Sequence, residues 1–231
     1  MRLNKTFSIV GIFLAAVAGG MIADTLVDTG PVVCLVDPTC RQLTENEQAL
    51  LKPIFGNSLP YSDIRIYRRP SLHKLFSEGN IAAAHNNNVY LTKDAGPQQA
   101  DFGLGKDPAS GVTVTGDDIF VHEVAHVWQN QTSGGSFSFK ELDYYYEIKP
   151  NSLFRDFNRE QQAEIIRSYF VHKRDIIRDH AQIEALATPD ENRRLLKKLL
   201  PGKCGNLATH QRVLEKVLPL EPVTVCSPAP S

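Results

Sequence analysis

The chain has 231 residues, of which 42% are hydrophobic and 22% are charged, an ordinary composition for one globular domain with tails. This composition excludes a disordered chain, a fibrous protein and a membrane protein with many spanning helices. The 25 Lys and Arg residues are balanced by 26 Asp and Glu residues. Because no basic excess is present to attract a phosphate backbone, we expect no nucleic-acid partner.

The first 23 residues have the pattern of an export signal. Arg2 and Lys5 precede an uncharged stretch over residues 7–23, and Ala16-Val17-Ala18 has the small-x-small form that signal peptidase accepts. The pattern predicts a signal peptide over residues 1–23 or, as the alternative, an uncleaved anchor. Both place the remainder outside the cytoplasm, periplasmic or secreted, because the positive end stays inside. A membrane is a partner only if the segment is uncleaved.

Four cysteines also indicate export, because an even number clustered near the two ends suggests disulfides. The residues are Cys34, Cys40, Cys204 and Cys226. Their short separations favour a Cys34–Cys40 pair and a Cys204–Cys226 pair, and a pairing that ties the termini together stays open. A zinc site is disfavoured because no C-x-x-C pair occurs.

The N-terminal half predicts a helix followed by short strands. Residues 24–42 form an extended leader, the domain covers residues 43–218, and a Pro-rich tail covers residues 219–231. A helix begins at Thr44, where Glu47 completes a capping box, and ends near Pro53 and Gly56. Two strands follow, over residues 63–68 and 88–93, and then a loop over residues 94–111.

The C-terminal half is predicted to be mostly helical, which gives an α+β fold. An apolar helix runs from Ile119 and is broken at Gly134-Gly135. After a possible strand at Tyr144–Tyr146, three helices are predicted over residues 159–187, 189–200 and 209–217, the first of them capped by Asn158 or Asp156. Pro201-Gly202 is expected to separate the last two helices.

The apolar helix carries the motif His122-Glu123-Val124-Ala125-His126, an H-E-x-x-H. Side chains at positions i and i+4 lie one turn apart on the same face, so His122 and His126 can bind one Zn²⁺. Glu123 can then act as general base on a water molecule at the metal. The motif predicts a hydrolytic zinc site.

A catalytic zinc ion needs a third protein ligand. The residues after His126 lack the Gly and the third His of one common zinc-peptidase pattern. We predict Glu160 as third ligand, 34 residues past His126, with Glu164 one turn later orienting a ligating His. Glu141, Glu147 and Glu164 itself are the alternative ligands.

A further side chain is expected to stabilise negative charge on the substrate carbonyl oxygen. Tyr or His residues from a separate segment are suited to this role. The candidates are Tyr144, Tyr145, Tyr146, His172 and His180.

Two segments resemble a known family. Phe120–Gln129 and Phe157–Glu164 are similar to the two motifs of bacterial zincin-like proteins with the DUF4157-type peptidase domain, including vgr-related members. The likeness covers roughly residues 44–180 and has the wider gluzincin arrangement, H-E-x-x-H followed by a Glu. It implies a zincin-like fold, a small sheet with an active-site helix, and zinc peptidase activity.

The leading hypothesis is an exported zinc metallopeptidase that cleaves a peptide or protein substrate. An edge strand near residues 88–93 is expected to pair with the extended substrate. One alternative is a non-catalytic zincin-like module of an exported assembly. Another is a secreted effector with a peptidase fold that acts in another cell. Glu123 favours catalysis, because a purely structural metal site does not need that carboxylate.

Overall fold

The computed structural model describes residue 34 and residues 39–68, 82–91, 101–103, 116–133 and 143–226. The predicted signal peptide, most of the extended leader and the last five residues of the tail lie outside the described residues. Within them, four short strands and four α-helices form an α+β fold whose C-terminal half is helical. No helix of the described part is long and apolar enough to cross a membrane.

Four strands form one small mixed sheet, namely β1 Arg41–Gln42, β2 Arg65–Tyr67, β3 Ala82–His85 and β4 Asn88–Leu91. Their order in the sheet is β1-β2-β4-β3. β1 pairs antiparallel with β2, β2 parallel with β4, and β4 antiparallel with β3. The two predicted strands contain β2 and β4, but β4 is internal, so the prediction that it forms a substrate-binding edge is wrong. At that end of the described sheet the outermost strand is β3, which pairs with β4.

β3 has a sequence that does not predict a strand. Its residues are Ala-Ala-Ala-His, and Ala has a low preference for strands. β3 is positioned by a two-residue turn at Asn86-Asn87, where Asn86 has a φ of 51°. Asn tolerates this left-handed conformation better than most residues do. The turn returns the chain onto the buried, apolar strand β4.

The first helix, α1, covers Glu45–Phe55 and has the predicted capping box between Thr44 and Glu47. Glu47 is fully buried, and Arg41 of β1 donates to both of its carboxylate oxygens at 2.7 and 2.8 Å. The backbone N–H of Phe102 donates to the same carboxylate at 3.2 Å. Glu47 therefore connects the sheet, α1 and a distant loop.

The second helix, α2, covers Asp117–Ser133 and lies at the centre of the fold. Every residue from Phe120 to Gln129 is buried, because β3 and β4 contact the helix on one side and the long helix Arg159–Leu186 contacts it on the other. A helix that is apolar on nearly all faces is typical of such a position. The H-E-x-x-H motif thus lies inside the domain.

Two long antiparallel helices complete the fold, α3 over Arg159–Leu186 and α4 over Pro189–Leu214. Asn158, one of the two predicted caps, is the N-cap of α3 and accepts from the backbone N–H of Gln161. The predicted break at Pro201-Gly202 is wrong, because α4 continues through both residues. Proline removes one backbone hydrogen bond of the helix. Contacts between α3 and α4 and the disulfide from Cys204 to Cys226 keep α4 continuous at this point.

The structure contains both local disulfides, Cys34–Cys40 and Cys204–Cys226. They close loops with sequence separations of 6 and 22 residues. Residues 143–149 form no strand, so the possible strand at Tyr144–Tyr146 is absent. This segment runs along α3, where Asn158 and Gln161 donate to the carbonyls of Asp143 and Tyr145.

Candidate metal centre

His122 and His126 lie one turn apart on α2 and point at the same space. Both are buried, with 8% and 6% of their surface exposed. Their Nε2 atoms are 3.2 Å apart. The helix therefore brings two imidazole nitrogens close enough to share one ion.

Glu160, in the first turn of α3, completes this cluster. Its Oε2 atom lies 3.3 Å from Nε2 of His122 and 3.0 Å from Nε2 of His126. Ligand atoms at about 2.0–2.1 Å from a tetrahedral zinc ion are about 3.3 Å apart. The three atoms thus have a chemistry and a spacing that could hold a zinc ion.

A hydrogen-bond network that the sequence did not reveal orients His126. Its Nδ1 atom lies 2.8 Å from Oε1 of Gln129. The Gln129 amide nitrogen donates to the Arg159 carbonyl at 2.9 Å and to Oε1 of Gln162 at 3.0 Å. These two donations fix the amide so that its oxygen accepts from His126, which leaves Nε2 free for a metal. The only sequence signal for Gln129 was its position three residues after His126.

His122 is supported by a chain of charged side chains. Its Nδ1 atom lies 3.3 Å from Oε2 of Glu164, an ion-pair distance without the alignment of a hydrogen bond. Arg167 donates to both oxygens of Glu164 at 3.1 and 3.2 Å, and to Asp118 at 3.0 and 2.5 Å. The chain from Asp118 to His122 connects the first turn of α2 with α3.

The charged groups of the cluster strongly shift one another's pKa. Burial would raise the pKa of Glu160, but hydrogen bonds with His122 and His126 outweigh it and hold that pKa at about 2. Burial would lower the pKa of His122, but contacts with Glu160 and Glu164 and the charge of Glu123 raise it to about 9. The carboxylates therefore favour a cation at this position.

Glu123 is buried next to the two histidines and has an unusual environment. Burial raises its pKa, while the neighbouring His122 and His126 act in the opposite direction. Its Oε2 atom has no hydrogen-bond partner among the described residues. A buried carboxylate oxygen without a partner is rare, and a general base is one explanation for it.

A cavity of about 320 Å³ opens beside the cluster. His122 and Glu123 form part of its wall. The remaining wall is formed by Ala82 of β3, Ile119, Tyr144, Glu164 and Arg167. The cavity joins the cluster to the end strand of the described sheet.

Among the candidates for carbonyl stabilisation, the structure brings Tyr144 to the cavity. Its ring centroid lies 6.1 Å from that of His122. The side chain of Tyr145 is 80% exposed, and the hydroxyl of Tyr146 contacts Ser168 and His210 instead.

The two histidine candidates lie on α3, well away from the cluster. His180 is 20 residues beyond Glu160, about 30 Å along the axis, and pairs with Glu184. His172 contacts His210 on α4. Among the alternative ligands, Glu147 is exposed and Glu141 lies outside the described residues.

Part of the chain is similar in sequence to the type VI secretion system spike protein VgrG2b of Pseudomonas aeruginosa (strain PAO1). The two are 29% identical over 145 residues, which are 58% of this chain and 13% of the length of the spike protein. The chain resembles part of VgrG2b. The solved effector domain of Pseudomonas aeruginosa VgrG2b matches at 25% identity with a TM-score of 0.42, over 69% of this chain and 90% of that chain. No protein-family model matches the chain.

The expected resemblance to vgr-related proteins is therefore confirmed. The DUF4157-type peptidase domain, the zincin-like fold and the zinc ion stay predictions.

Proposed function

We propose that the chain is an exported effector with a zinc-dependent hydrolase centre that cleaves peptide bonds. The observation that carries this proposal is the cluster of His122, His126 and Glu160 beside the buried carboxylate of Glu123. A site that only stabilised the fold would have four protein ligands and no general base. This cluster offers three ligands, a free position and a neighbouring base.

His122, His126 and Glu160 would hold the zinc ion. When bound, zinc polarises a carbonyl and lowers the pKa of a water molecule toward neutrality. Glu123 would accept a proton from the attacking water at its Oε2 atom and deliver it to the leaving amine nitrogen. The raised pKa of Glu123 suits this role, because its carboxylate must hold the proton after taking it from water and until it reaches the amine nitrogen.

The cavity walls supply the remaining functions. Tyr144 would donate a hydrogen bond from its phenolic O–H to the substrate carbonyl oxygen as that oxygen gains negative charge. β3, whose Ala82 lines the cavity, would pair with an extended substrate through its backbone. In this proposal β3 takes the substrate-pairing role that the sequence assigned to the strand at residues 88–93.

Two observations support an effector that acts outside the cytoplasm. The relative, VgrG2b, is a spike protein of the type VI secretion system, and an effector domain of VgrG2b has a solved structure. The two disulfides of this chain are typical of oxidising compartments outside the cytoplasm.

The test compares wild type with Glu123→Gln, both loaded with zinc, on a library of quenched fluorescent peptides. We expect Glu123→Gln to keep its zinc and to lose about 10²–10⁴-fold in kcat, the range for removal of a general base. Equal hydrolysis by both proteins would contradict the role of Glu123. Zinc binding without hydrolysis by wild type would favour the non-catalytic module.

A further inference from the structure

The two long helices extend beyond the core as a helical arm, which we define as residues 177–206. The structure describes all of these residues, and none of them is buried. Several large apolar side chains are exposed on the arm, with Leu186 78%, Ile177 49% and Leu199 43% exposed. An arm with such exposed side chains suggests an interaction surface.

One side of the arm carries four cations, the basic face, made of Arg193, Arg194, Lys197 and Lys198. Helical spacing of 100° per residue places all four within an arc of about 140°. All four are exposed. None of them has a hydrogen bond or an ion pair with any residue that the structure describes.

Several other cations of the two long helices have acidic partners. Arg167, Arg174 and Arg178 of α3 each pair with an Asp, and Lys203 of α4 pairs with Asp179. The segment from Asn192 to Gly202 contains no acidic residue. Positive charge therefore accumulates here in a chain with a net charge of only −1.

The basic face borders an apolar strip. Leu195 and Leu199 lie one turn apart on α4, next to Arg194 and Lys198 on the helix surface. Arg194 and Leu195 also line a groove shared with Leu186 of α3. Leu199 is exposed and Leu195 is partly exposed. Cations beside such leucines on one helix form the pattern of a surface that lies in the headgroup region of a bilayer.

We propose that the basic face and its leucine strip bind a membrane surface rich in anionic phospholipids. The cations match phosphate headgroups in charge, and their long side chains can reach the headgroups while the leucines enter the acyl boundary. The net charge of the chain supplies no attraction, so binding depends on these four residues. This inference is independent of the zinc centre.

The first test is co-sedimentation of the full chain with vesicles of phosphatidylglycerol and phosphatidylethanolamine. We expect binding that weakens with added salt and is absent with phosphatidylcholine vesicles. Replacing the four cations of the basic face by Gln should weaken binding at least about 100-fold, since each cation near an anionic surface contributes about 5-fold.

A matched control removes the same charge elsewhere. Lys52, Lys149, Arg155 and Lys216 are exposed and lie outside the arm, and their replacement by Gln should leave binding within about 5-fold of wild type. Wild type and both variants contain the same N-terminal apolar segment, so any vesicle binding through that segment is equal in all three proteins. Equal losses in the two variants, or no loss in either, would overturn the proposal.

Leu199→Trp supplies a local probe. The chain's single tryptophan, Trp128, is buried with 6% exposure, so a change in emission on binding reports on position 199. We expect a shift to shorter wavelength and quenching by brominated acyl chains. Binding to soluble polyglutamate as tight as to the vesicles, with no quenching by the lipid, would identify an acidic macromolecule as the partner instead.

Discussion

Gln129 tests whether the metal centre depends on the orientation of His126. Gln129→Met keeps a side chain of similar length but removes the acceptor that lies 2.8 Å from Nδ1 of His126. Without that acceptor the imidazole can rotate or change tautomer, and we expect zinc affinity to fall 10–100-fold, the usual effect of losing such a partner. This fall corresponds to about 1.4–2.8 kcal/mol of binding free energy.

The same substitution also lowers stability without metal. The Arg159 carbonyl and the amide of Gln162 lose the Gln129 donor at 2.9 and 3.0 Å. A buried polar group left without its partner costs about 1–3 kcal/mol. We therefore expect Gln129→Met to lower the free energy of unfolding by about that amount in excess chelator.

A second variant separates the two effects. Gln129→Glu keeps an acceptor for His126 but cannot donate to the carbonyl of Arg159. We expect this variant to hold zinc about as tightly as wild type and to unfold more easily without metal. Competition with a chromogenic chelator measures the affinity, and urea titration measures the free energy of unfolding.

Gln131→Met is the matched control, because Gln131 is exposed two residues further on and donates to Asn87 outside the site. It should leave zinc affinity unchanged. An unchanged zinc affinity in Gln129→Met, or an equal loss in Gln131→Met, would refute the orienting role of Gln129.

Three further predictions use other parts of the structure. Glu160→Ala should lose zinc and activity together, whereas Glu164→Ala should bind zinc about 10–100-fold more weakly. Chelator competition measures both affinities, and the reverse result would show that Glu164 is the ligand and Glu160 the orienting residue. Removing the Cys204–Cys226 disulfide by double replacement with Ser should lower the free energy of unfolding by about 3 kcal/mol, given its separation of 22 residues, with urea titration as the measurement. Burial lowers the pKa of His210, so the folded state resists protonation, and stability should fall as pH drops below the unfolded value of about 6.5. His210→Asn should make that part of the stability profile flatter, and an unchanged profile would contradict this.

The sequence predicts the parts of the fold that depend on local periodicity and capping. The helix of the H-E-x-x-H motif, the capping box at Thr44 and the cap at Asn158 are short-range patterns with a direct physical cause. β1 and β3 could not be predicted, because a two-residue strand has no periodicity and Ala-rich β3 is stabilised by pairing with β4. The helix through Pro201 is likewise set by contacts with α3, which oppose the local preference.

The candidate site likewise contains residues that a local sequence pattern predicts and residues that only the fold brings together. One sequence motif predicts His122, Glu123 and His126. The distance from these residues to Glu160 depends on how α2 and α3 cross. The structure brings Glu160 to the histidines and Glu164 next to His122, as the spacing of four residues on α3 predicts. Gln129, Arg167 and Asp118 could not be assigned from the sequence, because Asp118 and Arg167 are 49 residues apart and meet only after folding. Tyr144 could be separated from Tyr145 and Tyr146 only by the path of the chain along α3.

Zinc content and coordination test the central claim most directly. The purified chain, treated with chelator and then reloaded, should bind one zinc ion, and X-ray absorption should show two imidazole ligands with oxygen and no sulfur. His122→Ala should abolish this binding, while its disulfides and helical content remain as in wild type. An unchanged zinc content in His122→Ala, a sulfur ligand, or a wild-type chain that binds no zinc would contradict the assignment of His122, His126 and Glu160 as a metal centre.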